Sequence, residues 1–330
     1  MKAQLVRTPG GPEVMTLVDQ PTPEPAAGQV RVRIESIGVN YADVMCRQAV
    51  HQSMRPPPIV PGCEAAGTVE ACGNGTARCR VGDRVGVYSP FGGAYAEALV
   101  VPEAYALPLP VNMSFEHAAA FTHVYLTAYE ALHAGGASPK AHSSVLVTAA
   151  AGGLGGAIIQ IATALGLQVI AAVGSAAKRQ SLLDRGLGTV IDYGAVNLTE
   201  AVLAVTGGRG VDLAIETVGG DLFDQAQKAL APLGRIVIAG AASGKGPSPD
   251  VNVLLARSAS CATLNLSVVF AQRPAHIHEV WQHLIAWYAE GRLRPRIGHR
   301  YRLSEAAEAH RLLESRASTD KILLDPHVRS

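Results

Sequence analysis

The stretch Thr148–Gly156 reads TAAAGGLGG, inside a run from Lys140 to Lys178 that holds no other Lys and no Asp, Glu or Arg. Glycines spaced this way suit one kind of chemistry. Without a Cβ the backbone can approach a pyrophosphate, while the N–H groups and dipole of a following helix face the anion. The slots of a G-x-G-x-x-G pattern fall on Ala150, Gly152 and Gly155, with alanine in the first place. Further on stand Gly174 and Ser175, followed by Lys178 and Arg179. A fold that binds NAD places an acid there for the ribose 2′-hydroxyl, and that acid would repel a 2′-phosphate. With no acid and two cations at this place, the sequence predicts NADPH. Cations in a helix's first turn oppose its dipole, which asks for a reason beyond solvation.

The elements that must position these residues can be read from periodicity. Gly152 and Gly156 also fit the G-x-x-x-G spacing of membrane helices, in an apolar run long enough to span a bilayer. The β-branched runs at Val145–Thr148 and Val169–Val173, the polar Gln160 and Gln168, and the absence of flanking Trp, Tyr or clustered Arg favour a buried strand–turn–helix–strand instead. Strands are expected at Val145–Ala149, Gln168–Val173, Thr189–Tyr193, Asp212–Val218, Arg235–Gly240 and Ala262–Val269. Helical patterns lie between them, among them AAKRQSLLDRG, NLTEAVLAVTGG and FDQAQKALAPLG, which together describe a doubly wound nucleotide-binding sheet. The first third is β-rich, with strands expected at Gln29–Ser36, Ala66–Cys72 and Ala94–Val101. A helix is expected from Ser114 to the glycines 135 and 136, and the tail reads as a helix, a strand, the helix SEAAEAHRLLESRA and the strand KILLD.

Composition narrows the function classes. A net charge of +1 gives no general pull toward nucleic acid or membranes. The start MKAQLVRTPGG has no continuous apolar segment of the kind a secretory signal needs. Five cysteines at irregular spacing point to reduced thiols in a cytoplasm.

The chain resembles the medium-chain dehydrogenase/reductase superfamily and, within it, the NADPH:quinone oxidoreductase (zeta-crystallin-like) family. The motifs are GVNYADV (38–44), PGCEAAGTVE (61–70), VGDRV (81–85), FGGAYAEALVVP (91–102), LTAYEAL (126–132), VTAAAGGLG (147–155), IDY (191–193), TGGRGVD (206–212), GRIVIAG (234–240) and EAAEAHRLLESR (305–316). The resemblance implies an α/β architecture in which a GroES-like β-rich catalytic domain (residues 1–122 and 271–330) accompanies a doubly wound Rossmann dinucleotide-binding domain (residues 123–270). It implies cofactor contacts at Asn40, Thr127, Ala151, Gly152, Gly153, Leu154, Thr217, Val218 and Gly240, with Ser175, Lys178, Tyr193 and Arg316 around the 2′-phosphate. It also implies a homodimer paired through the edge of the Rossmann sheet, for which the apolar segment CATLNLSVVF is the candidate edge.

Zinc alcohol dehydrogenases of the superfamily look like G-V-C-x-x-D and G-H-E in the first two motifs. Here Asn40 and Cys63 stand in those places, and asparagine is a poor zinc ligand, so a metal-polarised mechanism is not expected. The group His276, His278, Glu279 and His283 beside Trp281 and Trp287 reads as one face of an amphipathic helix. Without a Lewis acid the acceptor must already be electrophilic: a quinone, or alternatively an α,β-unsaturated carbonyl or acyl-CoA. A structural or RNA-binding role is the reading from a different class, and the neutral charge counts against it. Asn40 and Tyr41 are the candidate hydrogen-bond donors to the acceptor oxygen, with the proton from solvent, and Asp43 supports catalysis there or braces the motif loop. The family pattern R-x-G-x-Y-P begins at Arg47, but Ala49 and His51 replace its glycine and tyrosine. Cys63 is expected to fill space, and the arginines at even positions of RLRPRIGHRYR (292–302) to line a half-solvated strand.

Overall fold

A computed structural model describes residues 1–51, 55–135 and 139–327. The chain divides into two compact units, Met1–Val124 with Val269–Ser330, and Tyr125–Val268.

The first unit opens with β1 (Lys2–Val6), β2 (Met15–Asp19), β3 (Gln29–Val39), α1 (Tyr41–Arg47), β4 (Glu64–Cys72), β5 (Arg84–Tyr88), β6 (Ala98–Pro102), β7 (Ala106–Pro108) and α2 (Phe115–Ala119). Strand β3 alternates at its start, sending Val30, Val32 and Ile34 into the core, and is then buried continuously to Val39. The expected single helix from Ser114 is two. Ser114 caps α2 by accepting from the His117 N–H at 3.1 Å, and a new helix, α3 (Thr122–His133), starts after the break at Ala120–Phe121. Gly136 lies outside the described residues.

The second unit carries β8 (Ser144–Val147), α4 (Gly153–Ala164), β9 (Gln168–Val173), α5 (Ala176–Asp184), β10 (Val190–Asp192), α6 (Leu198–Val205), β11 (Val211–Glu216), α7 (Asp221–Lys228), β12 (Leu230–Ile238), α8 (Val251–Leu255) and β13 (Ser260–Thr263), ending in α9 (Leu266–Gln272). The strands form one parallel sheet in the order β10-β9-β8-β11-β12-β13, the doubly wound order expected from the alternating pattern. Its near-continuous apolar strands are covered on both faces, which accounts for the charge-free run around the glycines. Among the described residues no helix is long and apolar enough to cross a membrane.

Two expectations fail here. The helix over FDQAQKALAPLG stops at Lys228, because Leu230 already pairs with Val211 and begins β12. Pro232, which cannot donate to a ladder, is accommodated where the register shifts, next to Leu233 at φ 64. The strand Ala262–Val269 ends at Thr263. Asn265 then caps a helix, its Oδ1 accepting from the Ser267 N–H at 3.0 Å, so Leu266 to Val269 belong to α9 rather than to a sheet edge.

The tail adds α10 (Pro274–Ala289), β14 (Ile297–Arg302), α11 (Ala306–Glu314) and β15 (Lys321–Asp325) to the first unit. The unit's main sheet runs β14-β15-β3-β4-β5-β7, with β6 also on β3. The arginine run does alternate exposed arginines with more buried residues across 292–302, although only 297–302 is strand. Two registers set the positions of the buried charges: β4 aligns Glu64 with Gly38, and β15 aligns Ile322 with Val39.

Candidate active site

These registers bring Glu64 and Lys321, from strands almost 260 residues apart, to the end of β3 where Asn40 begins α1. The Lys321 ammonium lies 2.6 Å from Glu64 Oε2 and donates to Asn40 Oδ1 at 2.6 Å. Asn40 Nδ2 donates to Glu64 Oε2 at 3.0 Å and to the Gly38 carbonyl at 3.3 Å. Both amide hydrogens and the amide oxygen of Asn40 are therefore committed inside the unit. Gly38 has to be glycine, since a Cβ would sit 2.1 Å from the Ala119 carbonyl and 2.6 Å from Glu64 Oε2. The other oxygen of Glu64 accepts from the His123 backbone N–H at 2.6 Å, pinning the first turn of α3.

Asp43, fully buried in α1, takes three donors: the Asn40 N–H at 2.9 Å, the Cys63 N–H at 3.0 Å and the Tyr95 hydroxyl at 3.1 Å. Burial still pushes its carboxyl up to about 6 against these bonds and the nearby Lys321 charge. Beyond Tyr95 the chain of bonds has a fixed direction. Arg47 can only donate, so its contact with His310 Nδ1 at 3.0 Å makes that nitrogen an acceptor and leaves the ring hydrogen on Nε2, 3.0 Å from the Tyr95 oxygen. Arg47 is in turn held by Glu314 at 2.6 Å. Burial, and then the Arg47 charge, holds His310 neutral, down to about 3. Tyr41 is half-buried at the first position of α1, its phenol pushed up chiefly by burial and also by Glu314, with Arg316 and Arg47 acting against.

Cys63 is buried, with its thiol pushed well above its usual value by burial and by Asp43 and Glu64. Its sulfur lies 3.5 Å from His123 Nδ1. His123 stacks on Tyr88 with ring centroids 5.2 Å apart and is held neutral by burial, down to about 4. Among the described residues no group of three or more His, Cys, Asp or Glu is arranged to hold a metal.

In the second unit the expected cofactor residues gather at the carboxyl ends of the strands, where a doubly wound sheet binds its ligand. Gly152 caps α4, and a Cβ on it would meet nothing nearer than the Ala149 carbonyl at 3.4 Å. A Cβ on Gly155 would be 2.5 Å from that same oxygen and 2.7 Å from Ala150 Cα, so this glycine is required by helix–strand packing. Ala151, Gly153 and Leu154 complete the turn and open α4. Because β9 and β10 are neighbours, Gly174 comes to the Tyr193 ring, which a Cβ there would meet at 3.0 Å. Ser175 caps α5 by accepting from the Lys178 N–H at 3.4 Å. Lys178 is half-buried, and burial lowers its ammonium. Arg179 instead donates to the Val190 carbonyl at 3.1 Å, a structural bond. Thr217 and Val218 anchor the loop after Gly240 through the Ala242 and Ser243 N–H groups at 3.0 and 2.8 Å. Thr127 Oγ1 is buried and has no partner among the described residues. Arg316 is exposed at the end of α11, in the first unit, where its charge is felt by Tyr41.

Several residues here had no role in the sequence reading: Lys321, Glu64, His123, His310 and, in the second unit, Glu216. Glu216 closes β11, accepting from the Val218 and Gly219 N–H groups at 2.8 Å each and from Thr148 at 3.2 Å. The available signal was a lone charge in an apolar strand, as in KILLD, CEAAG and VDLAIE, which needs a buried partner.

Comparison with known proteins agrees with this architecture. Residues 26–111 match the alcohol dehydrogenase GroES-like domain and residues 185–324 the zinc-binding dehydrogenase domain. A quinone oxidoreductase of Salmonella typhimurium is 35% identical over 96% of this chain and 97% of its own. The chain belongs to the quinone oxidoreductase family of the medium-chain dehydrogenase/reductase superfamily. It is an oxidoreductase. Another relative is the synaptic vesicle membrane protein VAT-1 homolog of Rattus norvegicus, 31% identical over 96% of this chain and 82% of that protein. The Escherichia coli quinone oxidoreductase solved in complex with NADPH superimposes with a TM-score of 0.92 at 32% identity, covering 99% of this chain and 100% of that one.

Proposed function

We propose that this protein is a zinc-independent reductase that passes a hydride from NADPH to a quinone or similarly activated carbonyl. The Lys321 ammonium carries the metal-free part of this reading. It lies against Glu64 and Asn40, its charge reaches Cys63 and His123, and it takes the Asn40 oxygen that a metal would need. Cys63 and His123 leave a cation two donors, one of them a thiol held protonated, which does not fit zinc.

The cofactor residues fit NADPH. The open space at Gly152 suits a pyrophosphate on the N-terminus of α4, and Thr127 offers a buried hydroxyl with no partner among the described residues. Ser175 at the cap of α5 and Tyr193 beside Gly174 would, with Lys178, hold the 2′-phosphate. Thr217, Val218 and Gly240 would line the nicotinamide side. The structural relatives from Escherichia coli and from a mycobacterium were each solved with NADPH. When bound, NADPH supplies the hydride from C4 of its nicotinamide.

The chain's own residues then position and polarise. Asn40, tied on both sides of its amide, braces the start of α1 rather than donating to the acceptor. Asp43 positions the same turn through the Asn40 and Cys63 N–H groups. Tyr41, a neutral phenol at the head of α1, remains available as a donor to the acceptor oxygen.

We further propose a homodimer in the cytoplasm. Among the described residues strand β13 pairs with β12 on one side only, and its four residues, SCAT, are uncharged, which leaves an edge for a second copy. Sedimentation velocity that shows a monomer at micromolar concentration overturns the dimer. NADPH oxidation should be followed with quinones, enals, enones and acyl-CoA esters, before and after prolonged chelation. Quinone turnover that survives chelation is the expected result. Stoichiometric zinc, with activity lost on its removal, overturns the metal-free reading, and preference for enones moves the acceptor to an activated C=C bond.

A further inference from the structure

His123 lies in the first turn of α3, and three contacts fix it. Its backbone N–H is held by Glu64 Oε1 at 2.6 Å, its ring stacks on Tyr88 at an interplanar angle of 15°, and Nδ1 lies 3.5 Å from Cys63 Sγ. The direction of the last contact follows from the neighbours. Asp43, the other acceptor beside the thiol, already takes three donors, whereas His123 Nδ1 has no other donor among the described residues. Burial, and then the Asp43 and Glu64 charges, keep that proton on sulfur. An imidazole nitrogen is a much better acceptor than a thiol sulfur, so S–H points to Nδ1. The ring hydrogen then belongs on Nε2, which finds no partner among the described residues although the side chain is only partly buried.

We propose that His123 is a catalytic residue of the reductase: its Nε2–H, presented because Cys63 holds Nδ1, donates a hydrogen bond to the acceptor oxygen. This rests on the NADPH-reductase reading above. As the hydride arrives at the acceptor, two electrons move onto its oxygen and the NADPH becomes NADP⁺. The Nε2–H group stabilises that developing charge without giving up its proton, and a proton from solvent completes the hydroxyl. A neutral donor suits the site, because Lys321 and His51 both disfavour a charged imidazole there while Glu64 opposes them, and burial outweighs all three. The same arrangement explains a cysteine and a histidine in contact where no metal fits. The thiol acts on the tautomer of the ring, and the ring acts on the substrate.

The test has two independent arms. In ¹⁵N-histidine spectra of the native protein, two-bond couplings identify the tautomer of His123, with the His123→Gln spectrum assigning the signal. The Nε2–H form is expected, and an Nδ1–H form overturns the proposal whatever the activity. In the second arm, NADPH binding is measured by fluorescence, and 1,4-benzoquinone reduction by NADPH consumption. His123→Phe keeps a ring against Tyr88 and removes the donor. Its kcat/KM for the quinone should fall about tenfold to a hundredfold, with the Kd for NADPH within about twofold of wild type. His123→Gln, which carries an N–H in nearly the Nε2 position, should recover most of that loss. Wild-type kcat/KM in His123→Phe, or equal losses in the Phe and Gln variants, overturns the donor role. A wild-type protein that binds NADPH and reduces no acceptor in the panel refutes the reductase reading instead.

Discussion

Lys321→Met tests the buried charge cluster most directly. The ammonium is 3% exposed and its partner Glu64 is fully buried, so the substitution leaves a carboxylate in the interior with its counter-charge removed. It also deletes the bond to Asn40 Oδ1. Two charge-assisted hydrogen bonds at about 1.5 to 3 kcal/mol each come to about 3 to 6 kcal/mol, and the cost of breaking a buried pair sets the expected loss at about 3 to 5 kcal/mol. For a unit of this size that is roughly 6 to 20 °C in Tm. Urea unfolding at pH 7 reads the effect, and Glu64→Gln with Lys321→Met closes a double-mutant cycle. The double variant should lose less than the sum of the single ones, because the amide leaves no unpaired charge. The reasoning is refuted if Lys321→Met lies within about 1 kcal/mol of wild type, or if the two losses simply add.

The two glycines of the turn should separate packing from binding. Gly155→Ala, whose Cβ would press on the Ala149 carbonyl, should cost about 1 to 3 kcal/mol of stability, while Gly152→Ala should leave stability within about 1 kcal/mol and weaken NADPH at least about tenfold. Lys178→Ala should raise the KM for NADPH about tenfold to a hundredfold and leave NADH nearly unchanged; an equal effect on both cofactors refutes the pocket. His310 and His123, depressed to about 3 and about 4, contribute stability that is complete above the unfolded value near 6.5 and is lost as pH falls. Asp43, raised to about 6, acts the opposite way: its contribution is complete below about 4 and is lost as pH rises. Near pH 5 two imidazoles oppose one carboxyl, so stability should fall by about 1.4 kcal/mol per pH unit on acidification. His310→Phe should flatten that slope, and an unchanged slope in urea midpoints between pH 6 and 4.5 counts against the assignment.

The second unit was legible because each of its signals is local. The β-branched runs, the glycine turn and the caps at Ser175 and Asn197 all act within a few residues, and the sheet order follows from the βα alternation. Where local signals competed, the reading failed. The propensity of QAQKAL carried a helix past the point where pairing with β11 starts a strand, and the apolar LSVVF concealed the cap at Asn265. The polar interior of the first unit was legible only in part. Asn40 and Asp43 stood out in a motif, but their meaning depends on Lys321 and His310, which only strand register and helix packing bring near. Nothing in the local sequence of KILLD says which acid its lysine will meet.

That long-range pairing also dictates an order of events on the ribosome. By the time Val124 has been made, the first unit already holds Glu64 and Arg47, whose partners Lys321, His310 and Glu314 do not yet exist. At 5–20 residues per second the wait is roughly 10 to 40 s, during which the second unit is completed. The nascent amino-terminal segment cannot close over its charges in that interval, so the nucleotide-binding unit is free to fold first and the catalytic unit must finish after its last strand is released. A chain stalled before β15 would expose an incomplete sheet and unpaired charge, features that chaperones and proteases recognise.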